Sequence, residues 1–169
     1  FPFDAAGAAG IPNVEVAEGY VNMAGMPLDD VLLEKYLAAS EAALKTLFEQ
    51  PNRKANKDAL LGARPSDSLA PHAAAQGVLE RFLPRAYRHP VKPEEVVRLL
   101  TIFDKATAAG DAYELAVRKT LKPVLASPNF LFRMESDPPA SGPPATRVTD
   151  HELAVRLSYF LWATMPDDE

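Results

Sequence analysis

Apolar residues that recur at helical spacing, between proline and glycine residues, most strongly constrain how this chain can fold. The clearest stretch begins at Pro93, which suits the first turn of a helix because an N–H at that position would have no partner. Gly110 supplies its end. Between these residues the buried face is expected to consist of Val96, Leu99, Leu100, Phe103 and Ala106.

Four further stretches show the same period, and residues 129–133 are expected to add a short helical turn. The stretches are 28–49, 72–87, 111–125 and a last one that follows Thr149 and Glu152. These two residues form a capping box, in which each side chain satisfies an unpaired amide at the helix start. Pro84 and Pro123 should kink or end their helices, since proline removes a backbone donor. The prediction is an all-α fold, an irregular bundle of about five helices.

Proline, glycine and polar residues separate these helices into packing units. The first 27 residues lack a helical period and are predicted to be extended, with one short strand around 14–16. We therefore expect an extended N-terminal segment that ends in a helix (1–50), a connector (51–71), a helical domain (72–136), a Pro-rich linker (137–146) and a last helix (147–169).

Composition excludes several classes of function. The 169 residues carry a net charge of −5, which argues against nucleic-acid binding because phosphates require a basic surface. Zero cysteines exclude a disulfide framework, a thiolate zinc site and a covalently attached haem in this segment. No apolar run is long enough to span a membrane. The chain also lacks the glycine-rich phosphate loops and the nucleophile-elbow motif.

Residues 81–92 are the main candidate for a binding site. Arg85, Arg88 and His89 lie together there, and guanidinium groups bind carboxylate or phosphate through paired hydrogen bonds. One interpretation is an anion-binding or substrate-binding site. The other is that Arg85 and Arg88 pair internally with acids such as those of residues 29 to 49. Pro90 disfavours helical geometry at His89, which places that side chain on a turn.

The histidines and acids give no convergent catalytic site. His72, His89 and His151 are scattered, so no metal site is predicted, because metal sites need several converging ligands. A non-covalent haem or metal contact through His89 or His151 remains a minor alternative. Adjacent acids such as Glu94 and Glu95 point about 100° apart on a helix and suit a helix start better than a catalytic pair.

Aromatic residues near the C-terminus are predicted to serve packing rather than ligand binding. Each should bury a large apolar area, and they are Phe130, Phe132, Phe160 and Trp162. The last helix carries Leu157, Phe160 and Leu161 on one face, and no later segment of the chain could cover it. We expect this face to pair with other domains of a longer parent chain or with a second copy.

Three ordered motifs lie at residues 85–91 (RAYRHPV), 125–133 (LASPNFLFR) and 152–162 (ELAVRLSYFLW), the last followed by 165–169 (MPDDE). Together they resemble domains of unknown function that accompany planctomycete-type cytochrome c modules. The run 20–44 is similar to the end of another domain in that series. The resemblance thus implies that 1–50 contains the final helix of an upstream domain and that 147–169 is the first helix of a truncated downstream domain. The chain departs from the family pattern at His89, where a further arginine is expected, and at 71–75, where a cysteine is expected.

The resemblance implies a large, modular, exported parent protein in the periplasm or at the cell surface, in which a separate cytochrome c module holds haem. No cofactor is expected in this segment. The first functional hypothesis is a non-catalytic helical scaffold or interaction segment. The alternative is part of an oxidative or carbohydrate-directed enzyme, completed by missing C-terminal residues and contacting an anionic substrate through Arg85, Arg88 and His89.

Overall fold

The computed structural model describes residues 16–17, 20–21, 30–132 and 148–162. These residues form an all-α fold, as predicted. The helices are α1 (Asp30–Glu49), α2 (Lys54–Leu61), α3 (Pro71–Tyr87), α4 (Pro93–Ala108), α5 (Tyr113–Leu125), α6 (Pro128–Leu131) and α7 (Asp150–Trp162), with a 3-10 turn at Pro51–Arg53. Two short antiparallel strands, β1 (Val16–Ala17) and β2 (Tyr20–Val21), precede them. Val14 and the predicted linker 137–146 lie outside the described residues.

The helix starts follow the local sequence signals. Pro93 opens α4, and the carboxylate of Glu95 accepts the Lys92 backbone N–H at 3.0 Å. At α7 the predicted capping box is present, because the Glu152 N–H donates to Thr149 Oγ1 at 3.2 Å and Glu152 Oε2 accepts the Thr149 N–H at 2.7 Å. Pro84 and Pro123 do not end their helices, since α3 continues to Tyr87 and α5 to Leu125.

The core lies between α3, α4 and α5. Phe103 of α4 is almost fully buried, and the predicted face of this helix is the buried one. Around it pack the largest fully buried side chains of α3 and α5, which are Val78, Leu79, Leu83, Leu121 and Val124. α1 packs against α5 and contributes Leu44 to the same core. Burial of these apolar surfaces is the main term that stabilises the bundle.

The segment 51–71, predicted as a connector, contains a helix that the sequence pattern did not indicate. Residues Lys54–Leu61 form α2, and Leu61 is 0 % exposed within the core. α2 is polar over most of its surface and is held by this one fully buried leucine, with Leu60 half-buried beside it. A helix with so few apolar anchors carries a weak periodic signal, which is why the sequence did not reveal it.

The aromatic residues Phe160 and Trp162 of α7 do not bury the large apolar area predicted for them, although Phe160 lies, as expected, on a face that the described residues leave uncovered. Phe160 is 85 % exposed and Trp162 is 69 % exposed, whereas Phe130 and Phe132 are half-buried as expected for packing residues. The buried residues of α7 are Val155 and Ser158, which lie on a different side of the helix from Phe160. The strongly apolar face of α7 therefore faces solvent in this structure.

Candidate functional site: the arginine-rich end of helix α3

Arg88 ends helix α3 and uses its side chain to hold helix α6. Its backbone is left-handed, with φ of 59°. Nη2 donates to the carbonyl oxygens of Asn129 at 3.2 Å, Phe130 at 2.5 Å and Phe132 at 2.9 Å. Because Nη2 carries two N–H groups, the three carbonyls share them. These carbonyls lie at the C-terminal end of α6, where they have no intrahelical partners. We call this arrangement the Arg88 clasp.

The guanidinium of Arg88 also lies against an aromatic ring. Its carbon lies 5.9 Å from the ring centre of Phe130, within the range of a cation–π contact. Nε is buried and has no hydrogen-bond partner among the described residues. The internal partners of Arg88 are thus backbone carbonyls, whereas the sequence had suggested the acids of residues 29 to 49. Anion binding by Arg85, Arg88 or His89 stays a prediction.

Two histidines lie beside the Arg88 clasp. His89 sits on the turn that its Pro90 neighbour predicted, with Nδ1 2.8 Å from the Pro90 carbonyl and its ring stacked on Tyr87 at 5.8 Å. His151, at the start of α7, donates from Nε2 to the backbone carbonyl of Arg88 at 3.0 Å. A carbonyl only accepts, so these contacts place a proton on His89 Nδ1 and on His151 Nε2. The described residues contain no group of three or more His, Cys, Asp or Glu placed to hold a metal ion.

Arg85 lines a different surface, the groove between α2 and α3. The cavity measures about 600 Å³, and its lining residues are Ala59, Leu60, Arg81, Phe82, Pro84 and Arg85. We call it the α2–α3 groove. Arg81, Arg85 and Arg88 would share one face if the helix continued, because their spacing is four and then three residues. The left-handed backbone at Arg88 breaks this face and directs that side chain to α6 instead.

Arg81 is fixed at the edge of the groove. Its Nη2 donates to the carbonyls of Leu61 at 3.1 Å and Leu60 at 3.5 Å, at the C-terminal end of α2. Gly62 makes this approach possible, since a Cβ there would come within 2.3 Å of Nη2, and its φ of +58° also favours glycine. The sequence placed Arg81 within the candidate segment 81–92 but did not indicate this contact. Every residue has a backbone carbonyl, so the sequence carries no signal for which carbonyl an arginine will bind.

A second groove, of about 360 Å³, lies between α3 and α4. His72, predicted as a loop or helix-edge residue, lies in the first turn of α3, with Nδ1 2.8 Å from Asp104 Oδ1 at the rim of this groove. Both side chains are about half exposed. Along the same rim Gln76 donates to Glu80 at 2.7 Å. Exposed pairs of this kind contribute little to stability because water screens them.

Comparison with known families matches two separate stretches of the chain. Residues 74–135, which cover most of α3 and all of α4, α5 and α6, match the family described as PSD5, protein of unknown function (DUF1595). Residues 148–169, which include α7, match PSD4, protein of unknown function (DUF1592). Both are known as planctomycete cytochrome c associated domains, in agreement with the resemblance noted in the sequence. No curated protein and no solved structure matches the chain significantly. Among the described helices, none is both long and apolar enough to cross a membrane.

Proposed function

We propose that this pair of cytochrome c associated domains is a non-catalytic helical scaffold and interaction segment of a larger exported protein. In this proposal the parent protein works in electron transfer at the periplasm or cell surface, and a separate domain holds haem c. The segment positions other domains of the parent chain or pairs with a second copy. The observation that carries the proposal is the exposed apolar face of α7.

This face, which we call the α7 face, combines side chains that rarely remain in water together. Its members recur at helical spacing, and their exposed fractions are Leu153 45 %, Leu157 50 %, Phe160 85 % and Leu161 58 %. Each large apolar side chain that moves from water into an interface contributes about 1.5–3 kcal/mol when fully buried. Contiguous apolar patches of this kind mark interaction sites. Phe is also among the residues enriched at such contacts.

The charged side chains support a structural role rather than a chemical one. Arg88 holds the carbonyls of α6, and Arg81 holds those of α2. Arg118 of α5 pairs with Glu41 and Glu49 of α1. These groups join helices to one another, and general acid–base chemistry needs side chains that converge on a substrate instead.

The test is whether the α7 face drives association. The variant Leu157→Asp/Phe160→Asp places two carboxylates on the face, and Leu115→Asp is the matched control because Leu115 is an exposed leucine of α5. Sedimentation velocity would measure self-association and binding to the separately purified remaining domains of the parent protein. We expect wild type and the control to associate in at least one assay, and the double variant to lose that association with its circular dichroism unchanged.

Two results would contradict the proposal. One is a wild-type protein that stays monomeric and binds no parent domain. The other is association that the double variant retains at wild-type strength, since two buried carboxylates in an interface are strongly unfavourable.

A further inference from the structure

We propose that the α2–α3 groove binds a small amphipathic carboxylate, with the anionic head at Arg81 and Arg85 and the hydrocarbon body against Leu60, Phe82 and Pro84. The site differs from the one expected from the sequence, since it keeps Arg85 and replaces Arg88 and His89 by Arg81. It also goes beyond the proposed scaffold role, because it involves neither α7 nor a second domain.

The size and lining of the groove fit a small molecule with an apolar body. A volume of about 600 Å³ lies within the usual range for ligand pockets, which are mainly apolar with a few polar groups that orient the ligand. Here Ala59, Leu60, Phe82 and Pro84 supply the apolar lining, and the two arginines supply the charge. This combination suits a ligand that is apolar at one end and anionic at the other.

The two arginines are spaced to act on one anionic group. Arg81 and Arg85 are four residues apart on α3, so both side chains project from the same face. Arg81 is also prepositioned, because the carbonyls of Leu60 and Leu61 hold its Nη2. A side chain that is already ordered before the ligand binds loses less conformational entropy on binding. Nη2 is the donor in both hydrogen bonds, so the other N–H groups of Arg81 can donate to a carboxylate.

The charge balance around the groove favours a monoanion. Arg64 donates to Asp58 and to Glu114, each at 2.6 Å, and Lys57 donates to Glu114 at 3.0 Å, so these acids are engaged with other cations. In the described part of the chain, Arg81 forms no ion pair with a carboxylate. Its charge is met in part by the carbonyls at the negative end of α2. One carboxylate at Arg81 would complete this balance.

Octanoate is the probe that tests the proposal. Titration into ¹⁵N-labelled protein should shift the amide signals of residues 59–62 and 81–86 in a saturable manner. Octanol and octylamine, which share the hydrocarbon chain but lack the carboxylate, should give weaker shifts at these residues. Arg85→Gln should raise the octanoate Kd about tenfold, the loss expected for a charge-assisted hydrogen bond. Arg98→Gln, an exposed arginine of α4, is the control and should leave the Kd unchanged.

A second variant tests the groove without removing an arginine. Ala59→Glu changes an exposed residue of α2 and places a competing carboxylate beside the arginines, while glutamate is a good helix former. Binding of octanoate should then fall at least as far as in Arg85→Gln, with the melting temperature little changed. Shifts that are absent or scattered over the surface would overturn the proposal. So would equal binding of octanol, or a wild-type Kd in Ala59→Glu.

Discussion

Arg88 combines an unfavourable backbone conformation with a favourable side-chain position. A φ of 59° is left-handed, and residues with a Cβ rarely adopt it, so glycine is the usual residue just after a helix. The side chain compensates, because it binds three carbonyls at the end of α6 that have no other hydrogen-bond donor among the described residues. The two effects oppose each other at a single residue and can be separated by mutation.

Two substitutions at Arg88 should therefore differ in stability. Arg88→Ala loses the clasp and keeps the backbone strain, and we expect it to lower the free energy of unfolding by about 2–3 kcal/mol. Arg88→Gly also loses the clasp but accommodates the positive φ, so its loss should be smaller by about 1 kcal/mol. Urea unfolding would measure both. Arg98→Ala serves as the control, and a loss in Arg88→Ala no larger than in this control would show that the clasp contributes nothing.

For single residues, the sequence predicts where charged side chains lie along the chain but not which groups they contact. The turn at His89 followed from Pro90, because the residue before a proline is steered away from helical geometry. The partners of Arg88 and Arg81 could not be predicted, because backbone carbonyls carry no residue-specific signal and become acceptors only when helix ends meet. The left-handed conformation of Arg88 was equally hidden, since arginine is not a residue that favours it.

Helices α1 and α5 are joined by a charge network centred on Arg118. This side chain is largely buried, donates to Glu41 and forms a second ion pair with Glu49 at 2.8 Å. Lys122 lies 3.1 Å from Glu41. Hydrogen bonds from Arg118 and then from Lys122 lower the pKa of Glu41 below its ordinary value of 4.5, although burial acts in the opposite direction. The charged form of Glu41 is thus favoured in the folded protein.

This network should make part of the stability pH-dependent. Because the pKa of Glu41 is lower in the folded than in the unfolded protein, its contribution is present above about 4.5 and is lost as pH falls through the folded-state pKa. Arg118→Ala should cost about 1 kcal/mol at neutral pH, since the pairs are partly exposed and screened. Urea unfolding of both proteins at neutral and at strongly acidic pH would measure this cost. A cost that does not shrink in acid would mean that Arg118 acts by packing alone.

Helix boundaries were predictable where the signals are local. Pro93 at α4 and Thr149 with Glu152 at α7 act on their own first turns, and both starts are present in the structure. Helix α2 was missed because its fully buried anchor, Leu61, has meaning only when α3 covers it. Phe160 was expected both to bury a large area and to lie on a face left for another domain or copy, since periodicity identifies an apolar face but not what lies against it.

On the scale of the whole molecule, the core extends beyond the stretch that matches the DUF1595 family. Leu44 of α1 and Leu61 of α2 precede residue 74, yet both belong to the same buried cluster as Phe103 and Leu121. A boundary near residue 72, as expected from the sequence, would separate these leucines from the core they fill. The contacts therefore favour a folding unit that begins with α1, and the boundary itself stays a prediction until it is tested.

Shortened proteins provide that test. A protein of residues 70–132 leaves the sites of Leu44 and Leu61 empty and should unfold at lower urea with a broad transition, whereas residues 30–132 should unfold cooperatively. Leu61→Ala in the full chain should cost about 2–5 kcal/mol because its side chain is fully buried. Leu115→Ala, at an exposed leucine, should cost less than about 1 kcal/mol. If residues 70–132 instead unfold sharply at the midpoint of the longer protein, α1 and α2 lie outside the folding unit. Leu61 would then attach α2 to a domain that is already stable without it.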